Sequence, residues 1–244
     1  MSWLVGCLLS FLALSASAAE LRMLTDSHAP LQFQQGNELV GFGVDVVHEL
    51  AARTGDSVQV QQMPLLRALR NAASEPDTGA FTVLRNAERE PRYQWVGPLL
   101  EVDIALYSAK PLQPAITSLE QARRVGRIVL PRKWSSYDYL RQQGLNNLYG
   151  VDTPEQMMHL LQIGRADLVA VDTISVATLA REVGLSPGEL HFQMPLIAGH
   201  GYIAFSPQTD PALVARWQRA LDEMQRNGRL RQLRQRWQLD RPTR

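Results

Sequence analysis

Cysteine is nearly missing from this 244-residue chain, since the single copy, Cys7, lies in an N-terminal apolar segment. Without that segment the chain has no thiol, disulfide, cysteine metal site or cysteine nucleophile. Lysine is almost as scarce: Lys110 and Lys133 are the only two among 25 basic residues. Arginine supplies the rest, a bias that codon usage produces as readily as selection for two-pronged carboxylate binding. No charge of either sign is in excess, because 25 basic residues face 24 acidic ones for a formal net charge of +1. The basic residues are also spread along the chain, which excludes the usual footprint for nucleic acid or an anionic membrane. Small molecules and proteins remain as partners. No apolar run reaches the roughly 20 residues a membrane-spanning helix needs. P-loop, G-x-S-x-G and H-E-x-x-H patterns are absent. The histidines (His28, His48, His159, His191 and His200) lack metal-ligand spacing, so neither a metal nor a cofactor is expected. "GFGVDV" (41–46) imitates a dinucleotide fingerprint, but Val46 stands where the third glycine is required and no strict strand precedes it.

What is present has ordinary globular proportions, 45% hydrophobic and 20% charged, enough for one large domain or two lobes. Trp3 to Leu14 ("WLVGCLLSFLAL") is a short apolar run followed by "SASAAE". This pattern predicts a signal peptide over residues 1–18, cut after Ala18, although no Lys or Arg precedes the run. "LVGC" (Leu4 to Cys7) fits a lipoprotein box poorly, being too near Met1 and leaving apolar residues behind it.

From Leu21 onward, β-like runs alternate with helical patterns, the signature of an α/β fold with mainly parallel sheets. "LRMLT" (21–25) reads as a strand and "FQQGNELVGF" as a hairpin turning at Gly36-Asn37. In "VDVVHELAARTG" the apolar Val46, Val47, Leu50 and Ala51 share a helix face, with Gly55 as C-cap. "VQVQ" (58–61), a helix opened by Pro64, and the strand "AFTV" follow. After the strand "VDIALYSA" (102–109) and the rigid "KPLQP", the pattern restarts. A capping box at Thr117 to Glu120 opens it, followed by the strand "RIVL", the helices "SSYDYLRQQG" and "TPEQMMHLLQIG", the strand "LVAV" and the helix "TISVATLAREVG". "GYIAFS" and two arginine-rich helices between Pro211 and Trp237 close the chain. Two lobes are expected, 19–104 with 199–244 and 105–198.

The two halves echo each other: Asp77, "TGAF", Thr82 in one and Asp167, "LVAV", Asp172 in the other. Thr82 and Asp172 each end a short apolar strand, where ligands of open α/β sheets bind. Either is equally readable as a cap or turn residue. His28 follows "TDS" after the first strand, where its ring lies over a ligand or sits as a plain loop residue. In "LRNAERE", Asn86 caps a predicted short helix whose first turn holds Glu88 and Arg89. Free N–H groups beside a guanidinium would form a carboxylate site, the alternative being a solvent-facing arginine in a charged turn.

Taken together, "LRMLTDSHAPLQFQQGNELVGFGVDVVHELAARTG", "ERE" with "WVGP", "GRADLVAVD" and the closing "DPALVARWQRALDEMQRNGRLRQLRQRW" resemble the extracytoplasmic solute-binding proteins of family 3, the polar amino-acid receptors of ABC transporters. The resemblance covers essentially the whole chain after the signal segment. It implies a two-lobed, type II periplasmic-binding-protein fold, each lobe a mainly parallel sheet flanked by helices and joined to the other by a two-strand hinge. It further implies that Arg89 binds a ligand α-carboxylate and Asp172 the α-amino group, while His28 takes the stacking position and Thr82 adds a hydroxyl. Asp26 would sit beside the cleft, and Trp134, Ser135 and Ser136 would approach from the second lobe. Leu84 departs from the family pattern, standing where a Ser or Thr commonly contacts the carboxylate. Arg67 and Arg85 would either add a second cation for an acidic solute or lie exposed. The expected protein is a periplasmic, monomeric receptor that does no chemistry and delivers an amino acid or related carboxylate to an ABC permease. A dehydratase for carboxylated cyclohexadienyl compounds, known on the same fold, and a sensor acting with a signalling partner are the alternatives.

Overall fold

The computed structural model describes residues 20–239. The expected signal peptide, its cleavage site and Cys7 lie outside the described residues. The chain opens with β1 (Glu20–Thr25), the hairpin β2 (Phe33–Gln35) and β3 (Glu38–Val40), α1 (Phe42–Thr54), β4 (Ser57–Gln62), α2 (Leu65–Ser74) and β5 (Thr78–Leu84). A one-turn 3-10 segment at Glu90–Arg92 leads into β6 (Gln94–Glu101). Next come β7 (Ile104–Ser108), α3 (Leu119–Ala122), β8 (Ile128–Pro131), α4 (Ser135–Gln142), β9 (Leu148–Val151), α5 (Pro154–Gln162), β10 (Leu168–Asp172), α6 (Val176–Glu182) and β11 (His191–Ile197). The chain closes with β12 (His200–Phe205), α7 (Pro211–Arg226) and α8 (Arg229–Arg236).

The apolar face read in α1 is the buried one: Val46, Val47 and Leu50 have no exposed surface. Gly55 ends the helix in the left-handed conformation (φ 75°), its N–H bonded to the Ala51 carbonyl, a backbone state glycine adopts without steric cost. Thr153 caps α5 with Pro154 in its first turn. The capping box at 117–120 is displaced by one residue. Ser118 rather than Thr117 caps α3, accepting from the Gln121 N–H, because Thr117 is held instead by the Gln121 side chain.

Two five-stranded sheets form, ordered β4-β1-β5-β12-β6 and β11-β7-β10-β8-β9. Each has two parallel and two antiparallel pairings, so one strand of each sheet, β12 or β7, runs against the rest. Both reversed strands come straight after a passage between sheets. The chain leaves the first sheet after β6 and enters the second at β7 through residues 102–103, and it returns between β11 and β12 through 198–199. The two passages touch, since the Val102 N–H donates to the Gly199 carbonyl at 2.8 Å. Each sheet has its own core. Phe42, Phe81, Phe205 and Trp217 anchor one, whereas Tyr107, Leu130, Met157 and Leu168 belong to the other. The result is a two-lobed mixed α/β molecule in which the loops after β1, β5, β8 and β10 face one cleft.

Candidate functional site

The cleft encloses a cavity of about 90 Å³. Asp26 and His28 enter it from the loop after β1, Thr82 and Leu84 from β5, and Arg89 from the turn beyond. Trp134, Ser135 and Ser136 come from the start of α4, and Asp172 from the end of β10.

The β1 loop is a tight turn closed on itself. The His28 N–H donates to the Gln32 carbonyl at 2.6 Å, and the Leu31 and Gln32 N–H groups return to the His28 carbonyl. Gln32, almost fully buried, ties this turn to the floor of the cleft. Its amide nitrogen donates to Asp26 Oδ1 at 3.0 Å, and its carbonyl oxygen lies 2.7 Å from Thr82 Oγ1. Thr82 sits at an irregularity in the β5–β12 pairing with φ +57°, rare for a β-branched residue, which re-aims its side chain out of the strand register. Space for it comes from α1: a Cβ on Gly43 would lie 2.6 Å from Thr82 Cγ2. A Cβ on Gly41 would lie 2.4 Å from the Leu31 carbonyl oxygen. The glycines that imitated a nucleotide motif thus serve close packing under the site.

Asp172 is saturated. Its Oδ1 accepts from the Ile174 and Ser175 N–H groups at 3.1 and 2.7 Å, and its Oδ2 accepts from Ser175 Oγ at 2.5 Å and His28 Nε2 at 2.9 Å. Asp172 thus closes the turn after β10 and also lines the cavity. The last contact joins the two lobes directly. Burial opposes both charges, but the mutual attraction prevails: His28 is raised to about 9, with Asp26 adding to the effect of Asp172, and Asp172 falls to about 2. Trp134 approaches the His28 ring from the other lobe, tilted by 39° with centroids 6.3 Å apart.

Arg89 is different. Nη1 donates to the Leu84 carbonyl at 3.0 Å, which turns the half-buried guanidinium back along β5 toward the cavity. It has no ion-pair partner among the described residues, and burial pulls its pKa below the ordinary guanidinium value, with Glu88 opposing that shift. The helix expected to start at Asn86 does not form. Asn86 Oδ1 accepts from the Arg89 N–H at 2.9 Å, but this closes a turn, and only the 3-10 segment with Pro91 follows before Tyr93 becomes extended. A helix dipole therefore makes no contribution to this site.

Arg67 and Arg85 are not among the cavity-lining residues. Arg67 lies on the exposed face of α2. Arg85 points outward because Glu90 grips it through two contacts of 2.5 Å and the rings of Trp95 and Tyr202 stack against it at 5.5 and 5.1 Å. Sequence reading missed Gln32 and Ser175, the residues that position Asp26, Thr82 and Asp172. Neither belongs to a spacing pattern, and only their nearness to the candidates in sequence hinted at a role. No cluster of His, Cys, Asp and Glu among the described residues is arranged to hold a metal ion.

The model of the bacterial extracellular solute-binding proteins, family 3, matches residues 21–240. The chain belongs to that family. Among curated proteins none matches this family 3 protein. Solved structures share its fold. A histidine kinase sensor domain with similarity to periplasmic binding proteins superposes with a TM-score of 0.80 at 20% identity, covering 89% of this chain and 95% of that one. An ancestral arginine-binding protein bound to arginine gives 0.74 at 20% identity, covering 89% and 97%. A periplasmic binding protein of Salmonella typhimurium with high arginine specificity gives 0.74 at 16% identity, covering 90% and 99%. At these identities the likeness concerns the fold alone. Within this family 3 protein, no helix among the described residues is long and apolar enough to cross a membrane.

Proposed function

We propose that this protein is exported to the periplasm, captures a small carboxylate-bearing solute between its lobes and delivers it to an ABC permease as a monomer, without chemical conversion. The observation that carries the reading is Arg89, a guanidinium lining the cleft with no carboxylate partner among the described residues. A planar cation of this kind matches a carboxylate through two parallel hydrogen bonds. Trp134, Ser135 and Ser136 from the opposite lobe would cover the bound ligand, so closure adds contacts that the open form lacks. Asp26, His28, Thr82 and Asp172 complete the proposed binding set, with Arg67 and Arg85 outside it. Thermal-shift screening of the processed chain against amino acids, short carboxylates and opines tests this. A ligand that stabilises the wild type and leaves Arg89→Ala unshifted is expected; undiminished stabilisation of that variant would count against the assignment.

A second reading has one observation in its favour, the superposition on a histidine kinase sensor domain. The same capture event would then be reported to a signalling partner. Co-purification of the ligand-loaded protein with a permease complex, as against a membrane-bound kinase, separates the two.

A further inference from the structure

We propose that the ligand is a small monocarboxylate with an apolar tail and no ammonium group, because His28 already fills the place on Asp172 that an amino-acid ammonium would take. This rests on the capture reading above and narrows its ligand class. A carboxylate offers about four acceptor directions. Asp172 has four donors on its two oxygens: two backbone N–H groups, Ser175 Oγ and His28 Nε2. An ammonium, which brings three donors, would have to evict His28 from the contact that joins the lobes.

Two donor-bearing groups of the lining stay open toward a ligand. The Arg89 guanidinium has one described bond, to the Leu84 carbonyl, and Ser136 Oγ is fully buried with no partner among the described residues, although Ser136 lines the cavity. Both suit the oxygens of an anion. The lining charges balance in number, Asp26 and Asp172 against His28 and Arg89, but Asp172 is paired with His28 and Asp26 is held by the Gln32 amide. Arg89 makes no ion pair with either carboxylate among the described residues, which leaves its donors for a ligand carboxylate. Leu31, Leu65, Leu84, Val102, Ile104 and Trp134 make much of the remaining wall apolar, where a polar tail would lose its water without recovering hydrogen bonds. A cavity of about 90 Å³ is several times the roughly 10–15 Å³ that one water requires, so it has room for a small organic ligand.

The test compares pairs that differ by the ammonium group: propanoate and alanine, isocaproate and leucine, hydrocinnamate and phenylalanine. Calorimetric titration of the wild type should show at least one acid bound about tenfold or more tightly than its amino acid, with Arg89→Ala losing that binding. In His28→Ala, which frees one acceptor direction on Asp172, the preference should move toward the amino acid by about tenfold. Amino acids bound more tightly than their deaminated partners, with Arg89 still required, would overturn the inference and leave the capture reading standing; an ammonium seated on Asp26 would give that result. Binding unaffected by Arg89→Ala, or no binding by either member of any pair, would overturn both. An unchanged preference in His28→Ala would remove His28 as its cause. If that variant does not fold, the wild-type comparison still decides the ligand class.

Discussion

The contact between His28 and Asp172 ties together residues 144 positions apart on opposite sides of the cleft, so its protonation state bears on folding and on closure. For His28, whose pKa rises from 6.5 to about 9, the stabilisation is complete below 6.5 and is lost as the pH climbs through about 9. For Asp172, lowered from 3.8 to about 2, it is complete above 3.8 and is lost as the pH falls through about 2. The pair therefore contributes fully between 3.8 and 6.5. Urea unfolding of wild type and His28→Asn should differ by on the order of 2 kcal/mol in that window, and the difference should shrink steadily toward pH 9. A pH-independent difference would mean that packing, not charge, holds His28. Arg89 should behave in the opposite sense. Its guanidinium is partly desolvated with no ion-pair partner among the described residues, so Arg89→Met should leave the ligand-free protein as stable or more stable by up to about 1 kcal/mol while abolishing ligand-induced stabilisation. Denaturant midpoints with and without ligand measure both effects. Among the arginines after β5, the family resemblance pointed to Arg89, but Arg85 could not be placed because one of its partners, Tyr202, comes from β12, far along the chain.

Elements with a local cause were legible, and those with a distant cause were not. α1 announced itself through apolar spacing and Gly55, and the β2–β3 hairpin through Gly36-Asn37. β6 carries Gly97 and Pro98 within the strand, β9 is four residues long with Gly150, and β11 contains Pro195, so propensity argues against all three. Their place comes from neighbouring strands supplied by remote sequence. Gly41 and Gly55 give this distinction a test. Alanine at Gly55 would meet nothing within 4 Å and strains only the left-handed cap, a cost of about 1 kcal/mol. Alanine at Gly41, at φ +134°, would drive its Cβ to 2.4 Å from the Leu31 backbone oxygen, within the turn that carries His28. Thermal melts should show Gly41→Ala losing about 2–4 kcal/mol. Ligand binding should weaken as well, although Gly41 does not line the cavity, whereas Gly55→Ala should retain binding.

At the scale of the whole molecule, the restart of the β-α pattern disclosed two lobes, while the passages themselves could be seen only once β7 and β12 were found running against their sheets. The connecting segments are two residues long on each side, and the Val102–Gly199 hydrogen bond holds them side by side. Such paired short connections permit rotation of one lobe against the other with few backbone angles changing. Across the cleft, the His28–Asp172 ion pair and the tilted contact of His28 with Trp134 oppose that rotation. A ligand that binds Arg89 and leaves the ion pair intact adds to closure; one that must displace His28 gives up part of what it gains. This predicts the order of compactness in solution scattering. His28→Ala without ligand should have a larger radius of gyration than the wild type at pH 6, and wild type at a pH above 9 should move toward the variant as His28 loses its proton. A stabilising carboxylate should return the variant toward the compact form, because Arg89 and the α4 residues still meet across it. Equal radii for variant and wild type under all these conditions would show that the ion pair forms without governing how far the lobes open.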